Sequence, residues 1–229
     1  MVSAGEASGD MHAALALNAL AKHDVSFSSF GMGGPKLQAL GTELVLDCRE
    51  LSVIGIFEVI VQYRKLRRKL ETLRDSLRRE KPDLLVIVDY PDFNLKLAET
   101  ANALGVPVLF YISPQVWAWR AHRVHRIGKL VSMMAVIFPF EVPFYRDAGV
   151  PVRYVGHPLV DEVGSTLSKA EARAAFSLPN TGAIVGLLPG SRTGEVKRVL
   201  PTMLAAYTRV RAQHPETHAI LPCAPTLDR

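Results

Sequence analysis

The sequence predicts an α/β fold built around a parallel sheet, and three observations carry that prediction. Short apolar runs recur at residues 25–30, 84–88, 106–112, 133–138 and 152–155, with helical patterns between most of them. Such alternation is the mark of βαβ units. The run Leu84-Leu85-Val86-Ile87-Val88 is continuously apolar, as expected of a strand covered on both faces. It then stops at Asp89, a charge at the strand's carboxyl end, where open α/β sheets bind their ligands.

The elements follow in order. Residues 1–4 form a short strand that feeds the turn Gly5-Glu6-Ala7-Ser8-Gly9-Asp10, and a helix is expected over 11–22. From Ile54 to Arg79 the sequence is helical in period. Pro91 ends the strand before it, and Asp92 is placed to cap a helix over 93–104 that Gly105 closes. A second module begins after Gly156-His157-Pro158, so the division is drawn between residues 1–160 and 161–229. In the second part, Ser168 and Glu171 have capping-box spacing. A strand over 183–188, a helix to about 213 and a strand over 217–222 follow. One βαβ unit is less than a domain needs to bury a core. The second part is therefore expected to be the start of a larger lobe, and the first strand is expected to be clipped.

Composition narrows the function. The chain has 229 residues, 48% hydrophobic and 21% charged, an ordinary globular balance. Its net charge of +5 favours anionic partners. Cys48 and Cys223 lie far apart without metal-ligand spacing, which suits a reducing compartment. No run is apolar enough to span a membrane and no leader pattern is visible. The glycine turn lacks the G-x-G-x-x-G spacing of dinucleotide folds, which argues against a nicotinamide enzyme. No RRM, KH or helix-turn-helix pattern accompanies the basic segment 120–129, so nucleic acid is not an expected partner.

Four segments carry candidate chemistry. Asp89 is placed for proton transfer, or alternatively for bracing its own turn. In the glycine turn, Glu6, Ser8 and Asp10 suit hydrogen bonds to sugar hydroxyls, and Asp10 also suits a helix cap. The stretch Ser113-Pro114-Gln115-Val116-Trp117-Ala118-Trp119-Arg120 holds both tryptophans of the chain. If extended, Trp117 and Trp119 share a face for a sugar ring or acyl chain, with Arg120 beside them for a phosphate. The turn Leu188-Pro189-Gly190-Ser191-Arg192-Thr193-Gly194-Glu195 leads from a strand into a helix. Gly190, Ser191, Arg192 and Glu195 are its candidate phosphate-binding residues, though Ser191 and Glu195 also suit capping, and the Walker A ending is absent.

The helical stretch 54–79 has two faces. Ile56, Val59, Tyr63, Leu66, Leu70, Leu73 and Leu77 form a core stripe. Ile54, Phe57, Val61, Arg64, Lys65 and Arg68 fall roughly opposite, a mixture of apolar and basic groups that marks an interfacial membrane contact.

Taken together, these motifs resemble the lipid-A-disaccharide synthase family. The matching segments are Gly5-Glu6-Ala7-Ser8-Gly9-Asp10, Gly33-Gly34-Pro35, Val88-Asp89-Tyr90-Pro91-Asp92-Phe93-Asn94, Ser113 to Arg120, Phe138-Pro139-Phe140-Glu141, Gly156-His157-Pro158 and Leu188-Pro189-Gly190-Ser191-Arg192, in that order. The resemblance implies a GT-B-type glycosyltransferase with two Rossmann-like lobes, the second incomplete in this chain. It implies an inverting reaction of UDP-2,3-diacylglucosamine with 2,3-diacylglucosamine 1-phosphate (lipid X), giving the β-1,6-linked lipid A disaccharide 1-phosphate and UDP. No metal or other cofactor is implied. Members act in the cytoplasm at the anionic inner-membrane surface, and a homodimer is expected through the rest of the second lobe. On this reading Asp89 is the base, Arg192 with its helix start stabilises the departing UDP, and Glu6, Ser8, Asp10, Trp117, Trp119 and Arg120 face the acceptor. The rival reading is a non-catalytic lipid-binding module in which Asp89 is structural.

Overall fold

The computed structural model describes residues 1–23, 25–51, 59–164, 167–224 and 227, with the backbone alone at 59–63. Two compact units divide the chain, Met1–Val163 and Gly164–Arg229.

The first unit is a seven-stranded sheet. Its strands are β1 (Val2–Ser3), β2 (Phe30–Gly33), β3 (Glu43–Asp47), β4 (Leu85–Ile87), β5 (Val108–Tyr111), β6 (Met133–Val136) and β7 (Val152–Tyr154). They lie in the order β3-β2-β1-β4-β5-β6-β7, and every neighbouring pair is parallel. The order runs outward in both directions from β1 and β4. This is the reversal point at which open α/β sheets leave a crevice beyond their carboxyl ends. Both turns leaving that point, after β1 and after β4, carry candidate site residues.

The helices of the unit are α1 (Ala7–Ala21), α2 (Pro35–Ala39), α3 (Val59–Glu80), α4 (Pro91–Ala103), α5 (Val124–Gly128), α6 (Glu141–Asp147) and α7 (Leu159–Glu162). The expected core stripe of α3 is present where side chains are described: Leu70, Leu73 and Leu77 are buried and Leu66 packs against them. They meet Leu85, Ile87, Phe93, Leu97 and Phe110 in the main core. A smaller cluster of Val2, Ala4, Ala13, Ala14, Leu37 and Val88 seals α1 onto the sheet.

Three local expectations are corrected. The second strand lies at Phe30–Gly33 and not at 25–30. It is glycine-rich because a Cβ on Gly31 would sit 2.1 Å from the Val2 carbonyl oxygen and one on Gly33 would sit 2.5 Å from the Leu37 side chain. Strand β3 was not foreseen. The cap of α4 is Tyr90, in the left-handed region at φ 48°, and Asp92 instead pairs with Arg123.

The second unit has α8 (Lys169–Ala175), β8 (Ile184–Gly186), α9 (Thr193–Gln213) and β9 (His218–Ile220), with β8 and β9 parallel. Ser168 and Glu171 form the expected capping box at the start of α8.

Candidate functional site

Asp89 follows β4 and reaches across to the turn after β1. Its Oδ1 accepts the Gly5 N–H at 2.6 Å and its Oδ2 accepts the Glu6 N–H at 3.0 Å. The carboxylate thus sits at the start of α1, where free N–H groups favour an anion. Burial is the larger influence and raises its pKa from 3.8 to about 6. The Gly5 hydrogen bond opposes that rise, and the charge of Glu6 adds to it. A carboxylate offers about four lone-pair positions, so two backbone donors leave it able to accept another proton donor.

Two neighbours fix that position. Gly9 is needed for space: a Cβ there would lie 2.0 Å from the Asp89 Oδ2. Asn94, fully buried on α4, donates to the carbonyls of Ser3 at 3.2 Å and of Asp89 at 2.5 Å, and accepts from the Ser3 hydroxyl at 2.5 Å. It ties the carboxyl ends of β1 and β4 together beneath the site.

The other residues of the glycine turn divide. Asp10 is buried, and its oxygens accept the backbone N–H groups of Gly34, Lys36 and Leu37. It caps α2, a helix other than its own, which fits the capping reading better than the hydroxyl-binding one. Glu6 is the backbone N-cap of α1, and Ser8 is exposed in the first turn.

The tryptophan segment is a tight turn and not an extended strand, with Ala118 N–H bonded back to the Gln115 carbonyl. The alternation of an extended strand therefore does not govern where its two indoles lie. Trp117 is 37% exposed, donates from Nε1 to Glu141 at 3.2 Å, and packs edge-on against Phe140 at 4.9 Å between ring centroids. Trp119 is 62% exposed, and the Arg120 guanidinium lies 4.4 Å from its ring centroid. That stacking holds Arg120 on the same outward loop.

Glu141, buried at the start of α6, was not singled out on sequence grounds. It accepts from the Ser113 hydroxyl at 2.5 Å, from Trp117 Nε1 and from the Phe138 N–H at 3.1 Å. His12 and His157 were also missed. Their rings meet edge-on at 6.3 Å, and His157 lies 5.9 Å from Phe138. The available signal was position: His12 falls just after the glycine turn, and Glu141 and His157 lie inside motifs already quoted above.

In the second unit, Gly190 takes φ 120° and Arg192 is the N-cap of α9. Glu195 folds back, accepting from the Ser191 N–H at 3.3 Å and pairing with Arg192 at 3.1 Å. Its carboxylate occupies the place an anion would take, and the Arg192 bond holds its pKa below the usual range. Glu195 therefore engages both Ser191 and Arg192 within the turn, the capping arrangement the sequence also allowed. The Arg192–Glu195 pair is largely exposed, so it is weak and readily exchanged.

Of the proposed membrane face, Ile54 and Phe57 lie outside the described residues, as does the side chain of Val61. Arg64, Lys65 and Arg68 are exposed along α3. Among the described residues no helix is long and apolar enough to cross a membrane, and no group of His, Cys, Asp and Glu is placed to hold a metal ion.

The family model for lipid-A-disaccharide synthetase matches residues 1–228. The chain belongs to that family. It is 48% identical over 227 residues to a lipid-A-disaccharide synthase of Geobacter metallireducens, covering 99% of this chain and 59% of the relative. It is 47% identical to one of Myxococcus xanthus, covering 100% of this chain and 60% of the relative. The chain thus spans about 60% of the length of these curated relatives. Among solved structures, the UDP-GlcNAc 2-epimerase of Neisseria meningitidis bound to UDP-GlcNAc has a TM-score of 0.66 at 12% identity, covering 98% of this chain and 65% of that one. This likeness shows the GT-B-type fold expected from the sequence.

Proposed function

We propose that the protein is the glycosyltransferase of lipid A assembly, condensing UDP-2,3-diacylglucosamine with 2,3-diacylglucosamine 1-phosphate and releasing UDP. The observation that carries this reading, beside family membership, is Asp89: a partly buried carboxylate at the sheet's reversal point with its pKa raised to about 6. It is ionised at neutral pH, yet more basic than a solvent-exposed carboxylate, as a general base should be. The acceptor's 6-hydroxyl gives its proton to Asp89 as its oxygen bonds to C1 of the donor sugar. The C1–O bond to the diphosphate breaks, and UDP leaves with the electron pair. Arg192 at the start of α9 supplies positive charge to that leaving group.

Glu6, Ser8, Trp117, Trp119 and Arg120 remain the acceptor-side candidates of this reading. The exposed cations Arg64, Lys65 and Arg68 support a peripheral position on anionic lipid at the cytoplasmic face of the inner membrane. The division into an acceptor part up to residue 160 and a donor part beyond it belongs to the same proposal.

The test is UDP release by the protein at its full natural length, with both lipid substrates in mixed micelles, beside Asp89→Asn. Release that vanishes in the variant supports the reading. A wild-type protein that releases no UDP but still binds liposomes moves the lipid-binding reading to first place.

A further inference from the structure

The mechanism above leaves one cluster unused. Five rings from four separate segments form a continuous wall: His12 on α1, His157 after β7, Phe138 and Phe140 after β6, and Trp117 after β5. Successive centroids are 6.3, 5.9, 5.5 and 4.9 Å apart. Phe138 and Phe140 are stacked within 12° of parallel, yet they remain 36% and 53% exposed. Hydrophobic packing alone does not explain rings held in register and left open to solvent. Glu141 fixes the arrangement from behind through Trp117 Nε1 and the Phe138 N–H.

The two histidines give the wall a polar end. The Nδ1 of His12 is buried and has no hydrogen-bond partner among the described residues. An orphaned polar atom in such a place calls for an explanation. The Nδ1 of His157 accepts the Leu159 N–H at 3.2 Å. In its neutral form His157 therefore carries its proton on Nε2, as a donor. Burial, and then the neighbouring His157, lower the His12 pKa below 6.5, which favours the neutral form of the His12 ring. The carboxylate of Asp89 packs against Gly9, one helical turn before His12, so the wall adjoins the proposed base.

We propose that His12, His157 and Phe138 form a subsite for the pyranose ring of a glucosamine sugar, with Phe138 against the ring's apolar face and the imidazoles on its hydroxyls. The chemistry disfavours phosphate: the Nδ1 of His157 is taken up by a backbone N–H, and the nearby charges of Asp89 and Glu6 are negative. A hydroxyl both donates and accepts, which matches one orphaned nitrogen beside one N–H donor. Donor and acceptor both carry such a ring, and the experiment separates them. The inference rests on the glycosyltransferase reading for its substrates, but not for its binding chemistry.

The first arm is kinetic. His12→Ala, His157→Gln and Phe138→Leu are assayed in the full-length protein, with each substrate varied in turn. The expected result is a KM raised about tenfold for one of the two sugars, which names the source. Phe138→Tyr, which keeps the ring face, holds KM within about twofold of wild type on the same grounds. Unchanged KM values for both substrates in all three variants overturn the proposal. The second arm is independent of turnover: imidazole resonances of His12 and His157 are followed by NMR as N-acetylglucosamine and glucosamine 1-phosphate are added. Saturable shifts, lost in Phe138→Leu, support the subsite even if the protein transfers no sugar. Resonances that do not move with either compound overturn it.

Discussion

On the proposed glycosyltransferase reading, lowering the pH should switch activity off much earlier than with an ordinary carboxylate base. With Asp89 at about 6, and the base required in its ionised form, kcat/KM falls about tenfold for each pH unit below that value. At pH 5 only about a tenth of the free enzyme carries the ionised base, and activity at low substrate drops in proportion. A carboxylate at its unperturbed value near 3.8 would show almost no loss there. The assay is initial UDP release at subsaturating substrate from pH 4.5 to 8.5, with circular dichroism at each point to confirm folding. Two variants assign the limb. Glu6→Gln removes a charge that raises the Asp89 pKa and so moves the limb to lower pH. His12→Gln, which removes an imidazole one helical turn from Gly9, leaves the limb in place. Activity that stays flat to pH 4.5, or a limb that follows His12, refutes the argument from burial.

The same shift has a consequence for stability. A carboxyl whose folded pKa lies above its unfolded value contributes stability that is present below about 3.8 and is lost as pH rises through about 6. The loss is about 3 kcal/mol. Urea titrations of wild type against Asp89→Asn should show wild type gaining relative stability as pH falls across that window. Gly9→Ala should displace Asp89, costing at least about a hundredfold in kcat, while overpacking lowers stability by about 1–3 kcal/mol; the ratio of the two effects is read from kinetics and thermal melts. Asn94→Ala removes three hydrogen bonds, two of them buried, and should cost about 2–4 kcal/mol in chemical denaturation. Arg64→Ala, Lys65→Ala and Arg68→Ala combined should weaken binding to anionic vesicles by more than about tenfold at low salt and little at high salt. A vesicle affinity unchanged in the triple variant removes α3 from the membrane contact.

Apolar runs made β4 to β6 readable because buried parallel strands need no polar face. Where that signal fails, the reason is local. In β2 two of four positions are glycine, Gly31 crowded by Val2 and Gly33 by Leu37, so no apolar pattern exists to be seen. In β3 the strand lies at the sheet's edge and begins and ends in acids, which reads as a loop. The site was legible where one residue type at one place suffices, as with Asp89 after its strand. It was not legible where chemistry depends on distant partners. Nothing local to Asp10 says that it caps α2, and nothing in the spacing of Trp117 and Trp119 says that the chain turns between them. His12 and His157 lie 145 positions apart and acquire meaning only through their contact.

Glu141 ties the segment after β5 to the segment after β6 through Ser113, Trp117 and Phe138. Two stretches of sequence more than twenty residues apart are in this way made a single unit of inheritance. A change of Trp117 to a residue without an N–H takes one of three donors from a buried acid, and a loss of that acid releases both segments at once. Drift at these positions should therefore occur in concert or not at all. A library that shuffles the two segments between relatives should return functional members chiefly where both come from the same parent.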